Sequence, residues 1–203
     1  MEPFEDFTAL AVPLRKINVD TDQIIPKQFL RSHGAVAGKN CFHDWRYIEG
    51  DESRPNREFV LNLPRYRGAR VLVGGDNFGC GSSREMAPWA LIGFGFRCIV
   101  SSGFADIFFN NSIKNGLLPA VVAADDLATL MKEVEQKEGL TLTVQLEKQR
   151  LTTSTGLATD FSIGQHAKQS LQKGLDEIEQ TLQLLEKITE FEKKSRKNQP
   201  WLG

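Results

Sequence analysis

Four short apolar runs stand out along the chain: FTALAVPL (7–14), VLVGG (71–75), CIVSS (98–102) and LPAVVA (118–123). Each is bounded by Gly, Pro or polar residues and is continuous rather than alternating, the pattern of strands buried on both faces. Helical periodicity lies between them: from near Ser82 to about Gly93, over 105–115 with Gly116 as the stop, and from Asp125 through LATLMKEVEQ to Gly139. A shorter helix is predicted over 22–30, with Asp20 and Thr21 shaping the turn before it. Strand and helix in close alternation predict an α/β domain with parallel crossovers. The pattern changes over 140–163, where TLTVQLE alternates polar and apolar, EKQ supplies a turn and a second β-prone segment follows, as in a hairpin. From 165 to 193, Leu171, Leu175, Ile178, Leu182, Leu185 and Ile188 share one face of a single amphipathic helix. That face packs on this domain or a neighbouring subunit, with a coiled coil as the alternative. Residues 194–203 read as a loose tail, and 1–203 as a single domain. Residues 31–68, with His33, His43, Trp45 and the charged DESRPNRE, are the least regular part; a segment of this kind is functional or mobile.

Composition narrows the function classes. At 40% hydrophobic and 25% charged residues the chain has the profile of a soluble globular protein. A formal net charge of -1 gives no electrostatic case for nucleic acid or an anionic membrane. No stretch approaches the ~20 apolar residues of a membrane span, and MEPFEDFTAL lacks the features of a secretion signal. Cys41, Cys80 and Cys98 form no CxxC pair, which argues against a disulfide framework or a metal site held by this chain, and for a reducing cytoplasm.

The densest chemistry is in VLVGGDNFGCGSSREMAPWAL, residues 71–91. Gly74, Gly75, Gly79 and Gly81 allow a sharp turn and close approach of backbone. Ser82 and Glu85 have capping-box spacing, and Arg84 adds a planar fork for a carboxylate or phosphate near a helix N-terminus. Two readings stay open on spacing alone: a well-capped helix after a tight turn, or an anion site. The loop has no GxxxxGK[ST], no third glycine of GxGxxG, and no GxSxG. Cys80 has no sequence neighbour to serve as its base, and His33 and His43 read as ordinary loop histidines.

GDNFGCGSSRE followed by APWAL resembles the signature of the 3-isopropylmalate dehydratase small-subunit family, a relative of the swivelling fourth domain of aconitase. NVDTDQIIPKQFL (18–30), GFADIFFNNSIKNGLLPAVV (103–122) and GLDEIEQTLQLL resemble further segments of that family in the same order. The resemblance implies a swivelling β/β/α domain of the α/β class. It implies that Ser82 is the catalytic base and that Ser83 and Arg84 bind a substrate carboxylate, with Asp22 orienting Arg84 or bonding substrate. Phe29 and Leu30 suit an isopropyl group, while Arg31 keeps a tricarboxylate substrate open. It further implies a 4Fe-4S cluster on a separate large subunit, a small dicarboxylate substrate, and an active site formed only in the heterodimer, in leucine biosynthesis. A homoaconitase- or citramalate-type hydro-lyase and a non-catalytic anion-binding domain are the alternatives. One departure is Met86, where the family usually has histidine; it either faces the core or rims the pocket.

Overall fold

The computed structural model describes residues 1–31, 35–175, 177–199 and 201. Seven strands form one sheet in the order β4-β3-β2-β1-β5-β6-β7. β1 (Phe7–Leu14), β2 (Val71–Gly74), β3 (Cys98–Ser101) and β4 (Leu118–Val121) run parallel. β5 (Thr141–Gln145) pairs antiparallel with β1, and β6 (Arg150–Thr153) and β7 (Ala158–Asp160) continue as an antiparallel meander. The hairpin expected over 140–163 is therefore present, with a third strand added. Gln149 turns it at φ 52.

The continuous apolar runs are explained by burial on both faces of the parallel strands. Ala11, Val71, Val73, Cys98 and Val100 point into one core, and Val12, Leu72 and Ile99 into the other. This is the period-2 alternation of a strand, invisible as hydropathy because neither face is wet. The first core is closed by α6 (Ala124–Gln136) through Leu127, Leu130, Met131 and Val134, and by Leu171 of α7 (Gln165–Lys173). The second is closed by α1 (Thr21–Ile24), α2 (Ala35–Lys39), α3 (His43–Arg46) and α4 (Met86–Phe94). There Gly38 lies against Gly93, where a Cβ would stand 2.0 Å from a backbone carbon, so two short helices cross closely. α5 (Asp106–Lys114) places Phe108 in the second core and Ile113 in the first, and Gly116 follows it at φ 82, as expected of a helix stop.

Several expected boundaries move. The helix expected from Ser82 begins at Met86, with Glu85 as N-cap and no side-chain cap bond, so the Ser82–Glu85 capping box does not form. Pro88 is the reason. A helix begun at Ser82 would place the proline ring in its interior, against the carbonyl of Arg84, whereas a start at Met86 puts Pro88 in the first turn, where no bond is lost. The helix expected over 22–30 is cut at Pro26 into α1 and a 3-10 turn, Lys27–Phe29. The single helix expected over 165–193 is three pieces: α7, α8 (Glu177–Leu182) and α9 (Leu185–Asn198). Gly174, at φ 64, ends α7, and its carbonyl accepts the N-terminal ammonium of Met1 at 3.0 Å. α9 buries no residue and runs to Asn198, into the stretch expected to be a loose tail.

The irregular stretch after β1 is built of short helices around an aromatic cluster. Phe42, Trp45 and Phe59 pack together, with ring centroids of Phe42 and Trp45 5.5 Å apart. Arg46 ties the segment down by donating to the carbonyl of Lys39 at 2.9 Å. His33 lies outside the described residues. His43 is not an ordinary loop histidine, being 3% exposed.

Candidate functional site

The site is assembled at the C-terminal ends of β1, β2 and β3, the edge of a parallel sheet where α/β proteins place ligands. Backbone bonds join the three loops that leave this edge. Asn18 donates to the carbonyl of Asp76 at 2.9 Å, Gly79 to Val19 at 2.8 Å, and Phe78 to Gly103 at 2.9 Å. The segments 18–30, 74–84 and 101–105, far apart in sequence, thus meet as one surface.

Glycine is required at two points. Gly79 has φ 78 and a Cβ there would sit 2.1 Å from the Phe108 ring. Gly81 has φ 88 and a Cβ would sit 2.1 Å from Oδ2 of Asp20. That carboxylate is already engaged: Asp20 caps α1, accepting from the Asp22 amide at 2.6 Å, while Gln23 closes the reciprocal half of a capping box. Thr21 then pins the loop, donating its amide to the Cys80 carbonyl at 2.9 Å and its hydroxyl to the Ser82 carbonyl at 2.8 Å. The expectation that Asp20 and Thr21 shape the turn is met in these bonds.

On this frame Arg84 donates through Nη1 to Oδ1 of Asp22. The Arg84 side chain is only 9% exposed, against 35% for Asp22. Burying a guanidinium costs desolvation unless it is paired. Asp22 supplies that pairing through one nitrogen, so the other edge of the fork has no partner among the described residues. Lys27, overlooked in the sequence, places Nζ 3.9 Å from Oδ2 of the same carboxylate, one turn beyond it. Ser82 and Ser83 are exposed. Help from helix amides is smaller than the spacing suggests: Ala87 donates back to the Arg84 carbonyl at 3.4 Å, and Pro88 has no N–H. The positive charge near the serines comes from Arg84.

Phe29 and Leu30 are half-buried against the second core, and Arg31 is exposed at the end of that turn. Met86 is half-buried and packs against the second core. The cysteines are ill placed to hold a cluster. Cys41 and Cys98 lie buried in different cores, where desolvation pushes both thiols up. Cys80 is partly exposed; desolvation and then the Asp20 carboxylate raise it too. Among the described residues no three His, Cys, Asp or Glu side chains converge as a metal site, and no helix is long and apolar enough to cross a membrane.

Comparison with known proteins places the whole chain in one family. The aconitase C-terminal domain family matches residues 1–125, the part that carries all three joined loops, so the chain is first of the aconitase swivelling class. The family described as LeuD_N matches 128–164, and the C-terminal domain family of the 3-isopropylmalate dehydratase small subunit matches 177–203. The 3-isopropylmalate dehydratase small subunit of Neisseria gonorrhoeae is 51% identical over 210 residues, covering 100% of this chain and 99% of that one. The protein of the same name from Psychromonas ingrahamii is 48% identical over 203 residues, with the same coverage. The chain belongs to the 3-isopropylmalate dehydratase small-subunit family. The fold is shared with the crystal structure of 3-isopropylmalate dehydratase from Methanocaldococcus jannaschii, at a TM-score of 0.63, 24% identity, and coverage of 94% of this chain and 99% of that one.

Proposed function

We propose that this chain is the small subunit of a cytoplasmic 3-isopropylmalate dehydratase and interconverts 2- and 3-isopropylmalate, in leucine biosynthesis, only when joined to a large subunit. The observation that carries the reading is the largely buried side chain of Arg84, held by Asp22 beside two exposed serines on a loop pinned by backbone bonds and the Thr21 hydroxyl. A firmly held, largely desolvated guanidinium with one edge unpaired among the described residues is suited to a bidentate carboxylate contact. The exposure of Ser82 supports the need for a partner, because a serine alkoxide is useful as a base only where water is excluded.

In this mechanism Arg84 and Ser83 hold a carboxylate of the substrate, and Asp22 fixes the guanidinium plane. Ser82, entering as the alkoxide, takes the proton from the carbon beside a carboxylate. The released electron pair forms the C=C bond of the unsaturated diacid as hydroxide leaves the neighbouring carbon. Returning the proton and hydroxide to exchanged carbons gives the isomer, so no net water is consumed. A 4Fe-4S cluster held by the large subunit would supply Lewis-acid chemistry to this site; the cysteines of this chain do not fit the role of holding it. Phe29 and Leu30 form the apolar wall toward the isopropyl group.

The deciding experiment reconstitutes the chain with its large subunit and compares turnover of isopropylmalate, homoaconitate and citramalate. Preference for isopropylmalate is expected. Preference for homoaconitate, with Arg31 meeting the additional carboxylate, would overturn the substrate assignment. A chain that acquires no partner and no activity would favour a non-catalytic anion-binding domain.

A further inference from the structure

His43 is a buried histidine that the mechanism does not use. Its residue is 3% exposed, and Nδ1 is buried without a hydrogen-bond partner. A leucine or phenylalanine would fill the same space without stripping water from ring nitrogens. The surroundings show what the ring touches. Its centroid lies 4.6 Å from that of Phe29 and 4.9 Å from that of Tyr47, both tilted, so the buried imidazole packs against the half-buried Phe29 ring. Phe42, just before it, adopts φ 52 and donates its amide to the Ile24 carbonyl at 2.8 Å, tying the base of α3 to α1.

The polar neighbours act on the same turn. Oδ1 of Asp44 stands 3.5 Å from His43 Nδ1 and also accepts from Nε2 of Gln28 at 3.3 Å. Oε1 of Glu52 stands 3.4 Å from His43 Nε2. The 3-10 turn Lys27–Phe29 is therefore held at two points, at Gln28 by Asp44 and at Phe29 by the His43 ring. Planar rings packed at this separation transmit position, because a rotated or missing ring leaves room for its neighbour to recede.

We infer that His43 is a positioning residue that sets substrate specificity by fixing how far Phe29 projects toward the substrate's side chain. The inference rests on the assignment of Phe29 and Leu30 as the isopropyl wall. A well-fitted apolar pocket discriminates a single methylene by roughly ten- to two-hundredfold, and the discrimination falls when the wall can retreat.

The test uses the complex with the large subunit and compares isopropylmalate with citramalate, which carries a methyl in place of isopropyl. In His43→Ala the ratio of kcat/KM for isopropylmalate over citramalate should fall about tenfold, through KM for isopropylmalate, with kcat within about twofold. His43→Phe restores a ring against Phe29 and should bring the ratio back to within about threefold of the parent. Adding His43→Ala to Phe29→Ala should cause no further loss, since the effect passes through Phe29. If His43→Ala fails to assemble, His43→Val, which leaves part of the ring's volume empty, takes its place, with a fall in the same direction expected. An unchanged ratio, an equal loss on both substrates, or additive losses in the double variant would each overturn the inference while leaving the function intact. A parent complex that does not turn over isopropylmalate would overturn the underlying reading and this inference with it.

Discussion

Arg84 and Asp22 are 62 residues apart in sequence and form a direct ion pair in which the arginine side chain is 9% exposed. The pair joins the loop after β2 to the helix after β1. It also means that the charge proposed to hold substrate is part of the fold's own polar network, so its replacements report on binding and stability together.

Arg84→Lys separates the two. Lysine keeps the charge and reach toward Asp22 but lacks the fork. KM for isopropylmalate should rise roughly ten- to a hundredfold, equivalent to about 1.5–3 kcal/mol for a charged hydrogen bond. Steady-state kinetics on the reconstituted enzyme measures this, and an unchanged KM removes Arg84 as the carboxylate clamp.

Ser82→Ala should behave oppositely. The side chain is exposed and its hydroxyl has no hydrogen-bond partner among the described residues; the Thr21 contact uses the Ser82 carbonyl, which alanine retains. Thermal melting and binding of the large subunit should be unaffected, while kcat falls by roughly 10²–10⁴-fold as a positioned base is lost. Near-parent turnover would remove serine-base chemistry from the mechanism.

Gly81→Ala tests the frame rather than the chemistry. The position has φ 88, and the added methyl meets the Asp20 carboxylate that caps α1. We expect a loss of about 1–3 kcal/mol in chemical denaturation, the usual cost of a non-glycine residue forced into that region, together with a raised KM. A variant as stable as the parent would show that the loop relaxes freely.

Acid sensitivity should include a contribution from Glu133 on α6. Burial raises its carboxyl, but hydrogen bonds from Thr155, Lys137 and Thr153 and the Lys137 charge outweigh burial and hold it below the ordinary range. A carboxylate depressed in the folded state stabilises above its unfolded pKa, about 4.3 for glutamate, and that stability is lost as pH falls through the folded value. Glu133→Gln should therefore lower Tm at pH 7 and reduce the further drop in Tm below about pH 4. Parallel pH curves for the two proteins would show that the site contributes nothing titratable.

The sequence by itself determined the α/β class, the four buried parallel strands and the three motifs that meet at the site, because hydrophobic runs and glycine requirements are local properties of the chain. Some misplacements were legible in principle: Pro88 already dictates where α4 must begin, and Pro26 where α1 must end. The apolar spacing from Leu171 to Ile188 does not register the break at Gly174, and the anchoring of Met1 against that glycine shows why the chain turns there. Tertiary structure alone decided that Arg84 pairs with Asp22, that Lys27 shares that carboxylate, and that His43 packs against Phe29. These are contacts between segments brought together by parallel strand pairing, and the partner of a charge or the backing of a ring has no signature in spacing along the chain.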